Sequence, residues 1–179
     1  MKDREIESLP FDNWPIPNNY LVEIGRVSVL WGTLESFLNI CIGKLAGFGD
    51  GDPKPFILVS HSSFPQRLDM LGTLCEHLLP NYPALADYKV VIGLLRDAQK
   101  ERNKFAHHNL GPDEAGDISM AVGSARGSLK IDVKKVAIAD IRRSVVAVDK
   151  AFRALYKLVL GRQIDPAWES RQRRSEKPV

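Results

Sequence analysis

Residues 85–108, LADYKVVIGLLRDAQKERNKFAHH, decide the fold class of this chain. Tyr88, Val91, Ile92, Leu95, Ala98 and Phe105 recur three and four apart, the spacing that lines one face of an α-helix turning about 100° per residue. Such a helix draws most of its stability from packing that stripe against other elements. Arg102 falls in the middle of the same face, where a core stripe does not carry a guanidinium. Asn103 and His107 are four residues apart and stack on one flank, beside the arginine. The plainer account is that the helix outruns the core and its last turn is solvated. His107 and His108 would then be C-terminal cations favoured by the helix dipole. The sharper account is that an arginine, an amide and an imidazole gathered where the stripe runs out are parts of a phosphodiester-cleaving site.

Working outward, three more stripes have the same period. A first helix is predicted from about Asn19 to Leu45, with Ile24, Val27, Trp31, Leu34, Leu38, Cys41 and Leu45 as a bundle seam. The Gly/Pro/Asp loop from Gly47 to Pro55 ends it, and apolar Phe56 to Val59 leads on. Ser63 and Gln66 have capping-box spacing, Pro65 suits a first turn, and Leu68, Leu71, Cys75 and Leu78 form the second stripe. Asn81 and Pro83 restart the chain into the helix quoted above, which stops at Asn109–Pro112. Ile118, Met120 and Val122, then Leu129, Ile131 and Val133, alternate with polar or small residues and predict a β-hairpin. A last helix runs from about Ala139 to Leu160 on Ile141, Val145, Val148, Phe152, Leu155 and Val159. The expected fold is all-α, an antiparallel, up-and-down four-helix bundle with a short β-hairpin inserted before the last helix. Its domain is 19–162, preceded by an extended segment 1–18 and followed by a basic, flexible tail 163–179.

Composition narrows the function. At 179 residues and 44% hydrophobic, the chain can bury one sizeable core. Cys41 and Cys75 fall on apolar stripes and read as buried thiols in a reducing compartment, not as a disulfide or a zinc site. The N-terminus carries charges of both signs with no apolar run after it, and no stretch is long enough to cross a bilayer, so a cytoplasmic location is expected. The net charge of +3 hides an asymmetry. Residues 134–179 hold 12 basic against 5 acidic residues, net +7, while residues 1–133 hold 13 against 17, net −4. A basic C-terminal third suits a polyanion. Equally, Lys134, Lys135, Arg142, Arg143, Lys150, Arg153 and Lys157 are what the wet face of an amphipathic helix looks like. Neither a Gly-rich phosphate loop nor a metalloprotease pattern occurs, and the four histidines lack metal-ligand spacing, so no metal and no cofactor is expected. Glu35, inside the first apolar seam, needs an arginine or backbone donors if buried. Trp31 reads as core rather than as a base-stacking platform.

Arg102, Asn103, the spacer Lys104-Phe105-Ala106, and His107 resemble the signature of the HEPN superfamily (higher eukaryotes and prokaryotes nucleotide-binding domain). That signature is an arginine, often with a polar residue after it, then a histidine beyond four to six residues, near the end of a long helix. Trp31-Gly-Thr-Leu-Glu35 and Gln66-Arg-Leu-Asp-Met-Leu71 look like the first two helices of its bacterial stand-alone members. The resemblance spans roughly residues 20–108. It implies a helical bundle and metal-independent cleavage of RNA, by 2′-hydroxyl attack, to a 2′,3′-cyclic phosphate. It also implies a homodimer whose two motifs share one cleft. An imidazole, with an ordinary pKa near 6.5, serves as base or acid at neutral pH, which suits His107. Arg102 stays charged and can bind two phosphate oxygens. Asn103 can hold a phosphate oxygen or fix the imidazole tautomer. Lys104 and His108 would flank the cleft as phosphate contacts. Family toxins controlled by nucleotidyltransferase antitoxins carry Tyr two positions beyond the histidine; Asn109 stands there instead, which argues against adenylylation control. The resulting expectation is a cytoplasmic endoribonuclease, a toxin or antiphage abortive-infection effector, with RNA, a second copy and an antitoxin or regulatory protein as partners and no membrane. The alternative is a non-catalytic bundle that binds nucleotide or RNA, docks a protein, or only dimerises.

Overall fold

The computed structural model describes residues 15–124 and 130–167. In chain order the elements are α1 (Asn18–Leu45), α2 (Lys54–Val59), α3 (Phe64–Leu78), a 3-10 turn (Pro83–Leu85), α4 (Tyr88–Ala106), β1 (Asn109–Pro112), β2 (Ile118–Ser124), β3 (Lys130–Lys135) and α5 (Ile138–Leu160). The protein is mostly helical, with a small antiparallel sheet in the order β1-β2-β3. Most of the extended segment expected over 1–18, residues 168–179 of the expected tail and Leu129 of the hairpin lie outside the described residues.

Helix boundaries follow local chemistry. Ser63 Oγ accepts from the Gln66 amide while Gln66 Oε1 accepts from the Ser63 amide at 2.8 Å, so the capping box forms and opens α3. Asp140 accepts from the Ala137 amide at 2.9 Å and starts α5. Gly161 ends α5 in the left-handed region, φ 67°, which a side chain rarely adopts. Every apolar position expected on α4 is buried. The core also takes Leu34, Leu38, Leu68, Leu71, Ile141 and Leu155, all fully buried. No helix among the described residues is long and apolar enough to cross a membrane.

Helix directions depart from up-and-down order. Along α1, Tyr20 Oη donates to the Val136 carbonyl at 2.9 Å, Glu23 accepts from Arg142 at 3.0 Å, and the Phe37 ring meets Phe152 at 5.2 Å. Residue numbers rise together, so α1 and α5 run in the same sense. Trp31 meets Phe64 at 4.6 Å and Glu35 meets Arg67 at 2.7 Å, so α3 also runs with α1. The order reverses between α3 and α4, where Asp69 pairs with Arg96 at 3.4 Å and Glu76 with Lys89 at 3.9 Å. The physical cause is the crossover at 46–63. Gly43 lets Pro55 of α2 close against α1, since a Cβ there would sit 2.3 Å from the proline Cγ. Laid against the end of α1, α2 returns the chain to the level of Trp31, and α3 starts again in the direction of α1.

The expected hairpin is a three-stranded sheet. Asn109–Pro112 reads as a helix stop, yet it pairs with β2, with Leu110 opposite Met120. Asp113 closes that extra hairpin by accepting from the Ala115 and Asp117 amides, with Gly116 at φ 83°. The apolar sets of β2 and β3 are also out of phase. Met120 faces Lys134 and Val122 faces Asp132, whereas Ile131 and Val133 sit opposite Gly123 and Ala121 and are exposed.

Glu23 is 3% exposed and accepts from both Arg26 and Arg142. Burial acts to raise its pKa, but the two arginine hydrogen bonds outweigh it and hold the carboxyl below its ordinary value of 4.5. Its contribution to stability is therefore present above that value and lost as the pH falls through the lower folded-state value. Urea midpoints should drop more between about pH 7 and about pH 3 in the wild type than in Glu23→Gln. An equal drop would remove Glu23 from the acid-sensitive groups.

Candidate functional site

The last turn of α4 is held from two sides. Phe105 is buried in the core, and Ser144 of α5 donates to Glu101 Oε2 at 3.0 Å. Between these anchors Arg102 is half-buried, its Cζ 5.5 Å from the centre of the Trp31 ring. Arg102 Nη1 donates to Asn103 Oδ1 at 3.2 Å and meets His107 Nε2 at 3.0 Å. The three residues expected to carry the chemistry are thus brought together, with the arginine as the hub.

The histidine arrives by a different route from the one its spacing suggests. The helix stops at Ala106, and His107 has φ −125° and ψ 5°, outside helical geometry. Its ring therefore turns toward Arg102 instead of standing one helical turn above Asn103. A guanidinium keeps its protons, so Nε2 is the acceptor in this bond and the ring proton lies on Nδ1. Lys104 is exposed and bonded to Glu101, and is thus engaged by an acid. His108 is half-buried, and its Nδ1 is buried with no hydrogen-bond partner. That leaves at most its other ring nitrogen for a phosphate.

Charge pairing separates Arg102 from the other helix arginines. Arg26 and Arg142 pair with Glu23, Arg67 with Glu35, Arg96 with Asp69, Arg143 with Asp140, and Arg153 with Asp149. Arg102 alone among them has no carboxylate partner within the described residues. Part of the basic C-terminal third is likewise paired with acids. Lys134 pairs with Asp132 and Lys135 with Asp117, in addition to the α5 arginines, which leaves Lys150, Lys157 and Arg162 without an acid among the described residues.

Trp31 is 5% exposed, as a core residue should be, yet it also forms the floor under Arg102. Spacing along one helix could not reveal that second role, because the partner arrives from α4. Glu35 is matched by Arg67, as its place in the seam required, and Arg67 also donates to Asn39 at 3.0 Å. Cys41 and Cys75 are free and buried, and burial pushes the Cys75 thiol up to about 11. No group of three or more His, Cys, Asp or Glu placed to hold a metal ion occurs among the described residues. Concavities of about 640 Å³ between α3 and α4, and about 570 Å³ at the α2 crossover, lie away from Arg102 and His107.

No family model, no curated protein and no solved structure matches this chain.

The Arg102–His107 bond has a spectroscopic consequence. Long-range ¹⁵N–¹H correlation on the wild type near neutral pH should find His107 protonated on Nδ1, and Arg102→Ala should redistribute the tautomers. A wild-type ring protonated mainly on Nε2 would show that the bond is absent in solution.

Proposed function

We propose that the chain is a metal-independent endoribonuclease of the HEPN type, acting as a two-fold homodimer in the cytoplasm as a toxin or antiphage abortive-infection effector. The observation that carries the reading is Arg102, the helix arginine without a carboxylate, joined to His107 and Asn103. An unpaired guanidinium beside an imidazole is suited to an anion that must also exchange a proton. The helix directions depart from the up-and-down order expected from the four apolar stripes, so the reading rests on the site and not on the architecture.

Two oxygens of the scissile phosphate would bind Arg102. Rotation of the His107 ring away from Nη1 as the phosphate enters frees its Nε2 to accept the 2′-hydroxyl proton. The 2′-oxygen attacks phosphorus, the bond to the 5′-oxygen breaks, and the leaving oxygen takes a proton from the second protomer's copy of His107, which enters the step as the imidazolium. The products are a 2′,3′-cyclic phosphate and a 5′-hydroxyl, with no cofactor required. Asn103 steadies Arg102 in this scheme, while Lys104 and His108 would contribute secondary phosphate contacts. An antitoxin or regulatory protein would mask the cleft. A non-catalytic RNA- or nucleotide-binding dimer is the second reading, favoured by the bond that already engages Nε2 in the free protein.

Arg102→Ala and His107→Ala should each lower RNA cleavage by about a hundredfold or more with the fold intact. Asn103→Ala should fall between these and the milder His108→Ala. Activity should persist in EDTA, and sequencing of RNA ends should find cyclic phosphates. Bound RNA left uncut by the purified dimer, or full activity in His107→Ala, selects the binding-module reading. A second outcome concerns assembly: light scattering at micromolar concentration should give a dimer, and a monomer would remove the source of the second imidazole.

A further inference from the structure

We propose that Trp31 is a positioning residue for this site, an indole platform that holds the Arg102 guanidinium so that its Nε–Nη2 edge is presented to a phosphate. The proposal rests on the ribonuclease reading and names the part of α1 that the reaction needs.

A guanidinium has five N–H donors in one plane. In Arg102 both protons on Nη1 have a destination, Asn103 Oδ1 at 3.2 Å and His107 Nε2 at 3.0 Å. Nε and Nη2 make no hydrogen bond among the described residues. That pair forms a two-pronged edge matching two oxygens of one phosphate. An arginine at a helix end would otherwise sample many rotamers, and an edge that wanders cannot select an in-line geometry. The Trp31 face removes that freedom, with Cζ 5.5 Å from the ring centre, inside the range of a cation–π contact.

The platform is itself fixed. Trp31 is 5% exposed and packs against Phe64 at 4.6 Å with the rings tilted 46°. Arg67 lies over the Phe64 ring, its Cζ 5.7 Å from the ring centre, and is tied to Glu35 and Asn39. The stack Arg102, Trp31, Phe64, Arg67 thus joins α4, α1 and α3, and its outer end is anchored by an acid while its inner end keeps a guanidinium edge open. A tryptophan kept only for its volume would not need a cation on its face.

The test compares Trp31→Phe, which keeps a π face, with Trp31→Leu, which keeps apolar bulk, in the full chain, alongside the wild type. Circular dichroism and thermal melting establish folding first. Trp31→Leu should lower kcat for RNA cleavage by about tenfold to a hundredfold with a smaller change in KM, and Trp31→Phe should recover most of the loss. In the wild type, the Arg102 side-chain protons should show ring-current shifts, which report the guanidinium on the indole face; the split between kcat and KM and the recovery in Trp31→Phe are the readouts that a purely structural role would not give. Equal activity in wild type and folded Trp31→Leu overturns the proposal. Equal loss in Trp31→Leu and Trp31→Phe overturns it too, as does an unshifted Arg102 in the wild type, which needs no variant to fold. Absence of cleavage by the wild type is a different failure: it overturns the ribonuclease reading and the positioning role with it, even where the ring-current shift confirms the contact.

Discussion

The constraint on which the rest of the structure depends is that α1 is flanked by two helices running in its own direction. Its seam is covered by α3 and α5, each meeting it in ascending register. Of the long helices α4 runs against them, and it shares its C-terminal end with the start of α5 through Glu101 and Ser144. That places the last turn of α4 over the middle of α1, beside Trp31, instead of at a free end. A helix terminus usually offers unsatisfied carbonyls to water. Here it delivers a guanidinium onto an aromatic face, and the chain then leaves at once through His107 into β1. The crossover at Gly43 and Pro55 is therefore part of the reason the site exists.

A second regularity is electrostatic. Buried carboxylates in this protein are not left alone: Glu23 and Asp149 each accept from arginine, and half-buried Glu35 does the same. Removing one partner of such a pair leaves a desolvated charge, which is why the pairs are closed so consistently. Against that pattern Arg102 is an exception of a particular kind. Its neighbours are an amide, an imidazole and an indole, all of which hold a guanidinium without neutralising it. The net positive charge remains available to an incoming anion.

What the sequence revealed, and what it hid, divide along a physical line. Periodicity reports which face of a helix is apolar, so the stripe from Tyr88 to Phe105, the capping box at Ser63 and the need of Glu35 for a cation were all legible. Periodicity carries no direction, so the shared sense of α1 and α3 was not. The strand at Asn109–Pro112 was hidden because its Asn, Gly and Pro are breakers of a helix before they are members of an edge strand. The phase of β3 depends on a register that alternation alone does not set, and it left Ile131 and Val133 outside. In the site, Arg102, Asn103 and His107 were visible because they are close in the chain. Trp31 was not visible in its second role because it meets Arg102 across 71 positions of sequence and one helix interface.

The pairing pattern also relocates the attraction for a polyanion. Read as a sum, the C-terminal third is strongly basic, and a positive field over α5 would steer RNA there regardless of detail. Read as geometry, Arg142, Arg143 and Arg153 face acids at hydrogen-bond distance, and Lys134 and Lys135 do so from the sheet. Opposite charges in contact nearly cancel beyond a Debye length, roughly 8 Å at physiological salt, so these paired cations add little field at a distance. Among the described residues the cations without an acid are Arg102, Lys150, Lys157 and Arg162, and of these Arg102 is the one set beside an imidazole. On the proposed ribonuclease reading, a site built this way would recognise a phosphate by the two-pronged fit of one guanidinium edge and by the imidazole beside it, and would leave affinity for long RNA to a small number of contacts. Specificity for the scissile phosphate and weak dependence on the overall basic charge are, on this account, two consequences of the same arrangement of paired and unpaired arginines.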